Sequence, residues 1–137
     1  MRNLKPLGFS GIMEDGSNRS FFPNGFISHI FSATALDQNL DYETELADYF
    51  FHVYGEDWRQ AREYLDNMTA AFDHKYMYGE KSADRTKGNF YNPDHVKDLN
   101  KVKEIAAAGK ELAKAHFVMP TRPQTVTWRL LYRHAQW

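Results

Sequence analysis

The 137-residue chain contains no cysteine. That excludes disulfides, thiolate nucleophiles and cysteine-held metals. It also leans the protein towards a reducing, cytoplasmic setting. No stretch approaches the roughly 20 apolar residues needed to span a bilayer, so no membrane partner is expected. The first eleven residues have no apolar core and no small-residue cleavage site, and do not read as a signal peptide. Phosphate-binding glycine patterns are missing, as is a nucleophile elbow; Phe9-Ser10-Gly11 does not form one. Six histidines are present. No two of them stand at i,i+4 spacing, so neither a metal nor another cofactor is expected. Each histidine reads as a capping, packing or surface group.

Charge of one sign is scarce in each half. Residues 1–80 hold 6 Lys/Arg against 13 Asp/Glu, and residues 81–137 hold 11 against 5. Two helical halves with complementary fields explain this. The lysines of residues 97–114 flank an apolar stripe on both sides, which is how solvated lysines sit on a helix. A nucleic-acid interface needs a contiguous basic patch with stacking aromatics, and the spacing supplies none.

Aromatic residues are plentiful: eight Tyr, ten Phe and three Trp. Their spacing is helical. Residues 1–25 read as irregular, with Leu7 to Ile12 as a possible single strand and Glu14 to Asn18 as a loop. Residues 26–137 read as a helical domain. Phe26, Ile27, Ile30, Phe31 and Ala35 give a first apolar face. Asp41 is placed to cap a second helix running to Tyr54, and Gly55 to end it. Asp57 or Glu56 starts a third helix that runs to about Phe72, with Trp58, Ala61, Leu65, Met68 and Phe72 on one stripe. The break at Gly55 predicts a helical hairpin. Residues 73–92 read as a long loop. Asn92-Pro93 opens a fourth helix, reaching about Phe117, with Leu99, Val102, Ile105, Ala106, Leu112, Ala113 and His116 on one face. Gly109 inside that helix costs about 1 kcal/mol relative to Ala, which predicts close packing or a bend there. Pro120 and Pro123 end the fourth helix, and Thr121 or Arg122 precedes a fifth helix from Pro123 to about Ala135, with Val126, Thr127, Leu130, Leu131 and His134 on its buried side. The expected fold is mainly α: a bundle-like domain of four to five helices. Trp58, Leu65, Phe72, Leu46, Phe50, Val102, Ile105 and Leu130 are its expected core.

Glycosidases use two carboxylates a few ångströms apart, and two adjacent pairs stand in the sequence. Glu56-Asp57 stands at a helix start, where the macrodipole explains it. Glu14-Asp15 follows the possible strand, which makes Met13, Glu14 and Asp15 the candidate residues lining a site.

Several segments carry a resemblance: Phe21 to Ile27, Leu36 to Asp41, Asp48-Tyr49-Phe50, Tyr54 to Trp58, Glu63-Tyr64-Leu65 and Thr127 to Ala135. Together they resemble the C-terminal portion of a bacterial family that joins a glycoside-hydrolase-like (β/α)₈ barrel to a helical region. The resemblance implies that Leu7 to Ile12 is the last barrel strand and Phe26 to Leu36 the helix after it. Residues from Asp41 onward would then be the helical region beside the barrel. It implies carbohydrate as ligand and the rest of a barrel as partner. It carries over no catalytic residue. The alternative is a helical interaction module that pairs with a second copy or another protein.

Overall fold

The computed structural model describes residues 5–10, 22–72 and 93–137. Five α-helices and one 3₁₀ turn stand among the described residues, and no strand does. The turn is Lys5–Leu7; α1 is Phe26–Leu36, α2 Tyr42–Tyr54, α3 Trp58–Ala71, α4 Pro93–Ala115 and α5 Arg122–His134. The mainly α reading holds. The possible strand does not begin as expected: Leu7 closes the 3₁₀ turn, and residues 8–10 carry no strand. Gly8 gives the reason, because its φ of 84° turns the backbone out of the extended region. Residues 11 and 12, the expected loop over 73–92 and the cap at Asn92 lie outside the described residues.

Local signals set the helix ends. The Asp41 carboxylate accepts a hydrogen bond from the Thr44 N–H at 2.8 Å, and Glu43 and Glu45 fill the first turn of α2. Gly55 ends α2 at a φ of 81°, a conformation that suits glycine. Three residues later α3 has begun, so α2 and α3 form the expected hairpin. Thr121 caps α5, with Pro123 in its first turn.

The helices close a ring. α2 packs on α3, α3 on α4, α4 on α5, and α5 returns to α2; α1 lies outside, against α2. The core inside the ring is Leu46, Phe50, Tyr54, Ala61, Tyr64, Met68, Ala113, Trp128 and Leu131. It differs in detail from the expected one. On α3 the buried stripe is Ala61, Tyr64, Met68 and Ala71, while Trp58 and Leu65 are half-buried and Phe72 is exposed. On α5 it is Trp128, Leu131 and the following Ala135; Leu130 is half-buried and Val126 exposed. Val102 and Ile105 pack against the core without being enclosed.

One close approach fixes the α3 stripe. A Cβ placed on Gly109 would run into the Tyr64 ring. The bare backbone of α4 thus provides the seat for that ring, and α3 is rotated to put Tyr64 inward. The glycine that looked costly in the sequence is a packing site.

Candidate functional site

The three sequence candidates, Met13, Glu14 and Asp15, lie outside the described residues. Three other places gather polar side chains.

The first is a groove of about 440 Å³ between α3 and α4. Gln60, Glu63, Tyr64 and Asn67 recur on one stripe of α3, and Glu104, Ile105, Ala108, Gly109 and Leu112 face them from α4. Small residues at 108 and 109 hollow out the α4 wall. Glu63, Asn67 and Glu104 are exposed. A general acid–base pair needs two carboxylates in unlike environments. These two share an open, solvated one.

The second is a Tyr–His pair at the base of that groove. The Tyr64 hydroxyl lies 2.8 Å from His134 Nδ1, joining α3 to the end of α5. Burial pushes the Tyr64 hydroxyl up to about 12, and burial holds His134 below the usual imidazole range. At neutral pH the phenol keeps its proton and the ring is neutral, so the tautomer of His134 sets which of the two donates. The Phe22 ring covers His134 at 5.6 Å, so the imidazole is walled on two sides by aromatic rings.

The third is a junction where four helices meet. The buried Trp128 indole N–H donates to the Tyr54 carbonyl at the end of α2, at 2.9 Å. The His116 ring stacks on Trp128 at 4.1 Å and 14°. His116 Nδ1 lies 2.8 Å from the Leu112 carbonyl, a group that the end of α4 leaves without a helical partner. His116 Nε2 lies 3.0 Å from an Asp57 carboxylate oxygen at the start of α3. The other Asp57 oxygen accepts from Gln60 Nε2 at 2.9 Å. Asp57 therefore does more than answer the helix dipole: it makes no side-chain cap bond and reaches across to α4 instead. An aspartate beside a histidine is the start of a catalytic arrangement. Here both ring nitrogens are aimed at oxygens of the chain itself, which leaves neither facing a substrate.

Two further histidines, His29 and His52, are spent in the same structural way. His29 pairs with Glu45 at 2.6 Å, tying α1 to α2. His52 bonds the Asp48 carbonyl one turn back at 2.8 Å. No group of three or more His, Asp or Glu side chains stands together as a metal site among the described residues. No described helix is long and apolar enough to cross a membrane. Sequence spacing signalled neither the Asp57–His116 contact nor the Tyr64–His134 contact, because 59 and 70 residues separate the partners. Comparison with known proteins finds no matching family model, no matching curated protein and no matching solved structure.

Proposed function

We propose that this chain is a helical, non-catalytic domain of a larger carbohydrate-active protein, docked to the rest of that protein through α1. The carrying observation is the outward stripe of α1. Phe26 and Ile30 turn towards α2, with Phe26 buried against Tyr49 and Phe50 at ring distances of 5.3 and 5.7 Å. Ile27, Phe31 and Ala35 recur every fourth residue on the neighbouring flank, about 100° round the helix, where Ile27 is 58% exposed and Phe31 is half-buried. The helix contains no Asp, Glu, Lys or Arg. A helix on the outside of a bundle ordinarily carries charge on its outer face. An uncharged one with a second apolar stripe fits burial under another domain.

The residues that carry the family resemblance favour a scaffold over a catalyst. Tyr54, Gly55, Tyr64, Trp128, Leu131 and His134 are spent on holding one helix to the next. A set of residues used this way specifies a fold and leaves chemistry to a neighbouring domain. Carbohydrate as the ligand of the whole protein rests on the resemblance alone.

The test compares this chain with a version extended upstream along its reading frame. Hydrogen exchange of α1 amides is expected to slow in the extended protein, and a glycan panel is expected to retain the extended protein while passing this chain. A reading frame with no upstream domain, or α1 exchange that is unchanged, sinks the proposal. Light scattering separates the rival module. A dimer that forms with concentration and is lost in Ile27→Lys identifies a second copy as the partner.

A further inference from the structure

The junction around His116 has a property that packing alone does not require. The ring is largely enclosed, with 14% of its side chain exposed, and each nitrogen points at an oxygen that can only accept. A neutral imidazole has one N–H. It can satisfy the Leu112 carbonyl or the Asp57 carboxylate, and the other nitrogen then turns a lone pair towards an acceptor. An imidazolium has two N–H groups and satisfies both. Its flat face also lies on the Trp128 indole, the aromatic system that attracts cations most strongly.

We propose that this junction is a proton-operated clasp: with both ring nitrogens protonated, His116 joins the end of α4 to the start of α3 across the face of Trp128. On loss of one proton, one of the two contacts opens. The groups facing the ring come from three helices. Asp57 at the start of α3 brings the charge, α5 brings the neutral indole of Trp128, and α4 brings its own Leu112 carbonyl. The Glu111–Lys114 ion pair sits on α4 one turn earlier and is internally matched at 2.7 Å. α2 reaches the cluster through the Tyr54 carbonyl that holds Trp128.

The clasp couples two places far apart in the chain. At the end of α4, the His116 and Phe117 amides bond the Ala113 and Lys114 carbonyls at 3.1 and 3.3 Å. At the start of α3, the Trp58 and Gln60 amides bond the Gly55 and Asp57 carbonyls at 3.1 and 3.0 Å. A single proton on His116 tightens both turns together. Its loss releases one end, either the ring's hold on its own turn at Leu112 or its reach across to Asp57, so the two turns are no longer tightened together.

Nitrogen NMR of the imidazole rings reads the charge and tautomer of His116 directly. Titrated downward through the imidazole range, the wild-type chain is expected to show both His116 nitrogens protonated, with slowly exchanging ring protons. Amide exchange, corrected for its intrinsic pH dependence, is expected to slow at His116, Phe117, Trp58 and Gln60 with one shared midpoint. In Asp57→Asn that midpoint is expected to move to lower pH, and the response at Trp58 and Gln60 is expected to be lost. His116→Gln, a second variant that abolishes the titrating group, is expected to remove the shared step entirely. A single dominant tautomer throughout, unchanged behaviour in Asp57→Asn, or separate midpoints at the two turns overturns the clasp.

Discussion

α5 and α1 are helices of similar length, 13 and 11 residues, and both rest on α2. They finish differently. α5 buries Trp128 and Leu131 completely and turns Arg129 and Arg133 to solvent. Its apolar stripe and its charged face are both accounted for within the chain. α1 buries Phe26 and leaves Ile27 and Leu36 exposed, with no charged residue on its outer side. Its second stripe has no counterpart among the described residues. One helix closes a core and the other presents a surface. The physical difference is whether the partner that completes the amphipathic pattern belongs to the ring of α2 to α5.

That contrast is open to direct attack. The largest effect is expected at Trp128. Replacing it with Ala empties the centre of the ring, frees the Tyr54 carbonyl and costs about 3–5 kcal/mol, read by denaturant unfolding. A loss below about 1 kcal/mol would mean the ring is not the stabilising core. Gly109→Ala comes next. The added methyl gains about 1 kcal/mol of helix propensity, but it meets the Tyr64 ring, and overpacking of this kind costs about 1–3 kcal/mol. A net destabilisation is expected, and it should turn into a gain in a Tyr64→Leu background, where a double-mutant cycle isolates the clash.

pH sharpens the same seam. Burial raises Tyr64 from its ordinary 10.0 to about 12, and burial raises Tyr54 as well. Their protonated forms belong to the folded state, so their contribution is whole below about pH 10 and declines above it, that of Tyr64 being lost as pH rises through about 12. Burial lowers His134 from 6.5, so its neutral form belongs to the folded state. That contribution is whole above pH 6.5 and falls away as pH drops below it. Thermal melts of Tyr64→Phe should lose the Tyr64 share of the alkaline component and keep that of Tyr54, and melts of His134→Gln should lose the acid component that His134 brings.

Smaller effects follow. Tyr54→Phe removes a buried hydroxyl that has no hydrogen-bond partner. A gain of about 1 kcal/mol or a neutral result is expected in chemical denaturation, and a large loss would show that the hydroxyl is satisfied in solution. Ile27→Lys should change the stability of this chain by no more than about 0.5 kcal/mol, as an exposed position does. A cost of 2 kcal/mol would place Ile27 in a core and erase the difference between α1 and α5.

Much of the fold was legible beforehand. Asp41, Gly55, Pro93 and the Pro120–Pro123 interval mark helix ends through local chemistry, and the structure puts ends at or next to each of them. The five apolar periodicities were legible for the same reason, since a helix repeats every 3.6 residues whatever it packs on. The rotation of each stripe was not. Tyr64 is absent from the stripe read for α3, and only the bare backbone at Gly109 set against it accounts for its inward turn. Phe72 reads as core until its position past the end of α3 leaves it exposed. α1 reads as having one apolar face, and α2 divides that face in two.

By itself the sequence determined where helices start and stop and that their apolar sides must be buried, because caps, glycine, proline and residue spacing act within a few residues. Only the tertiary structure decided which side chains fill the centre, and which histidine meets which carboxylate or phenol. For Asp57, Tyr64 and Trp128, those choices depend on surfaces contributed by residues more than forty positions apart. No local rule brings Asp57 to His116, or Tyr64 to Gly109 and His134; the closure of four helices into a ring does.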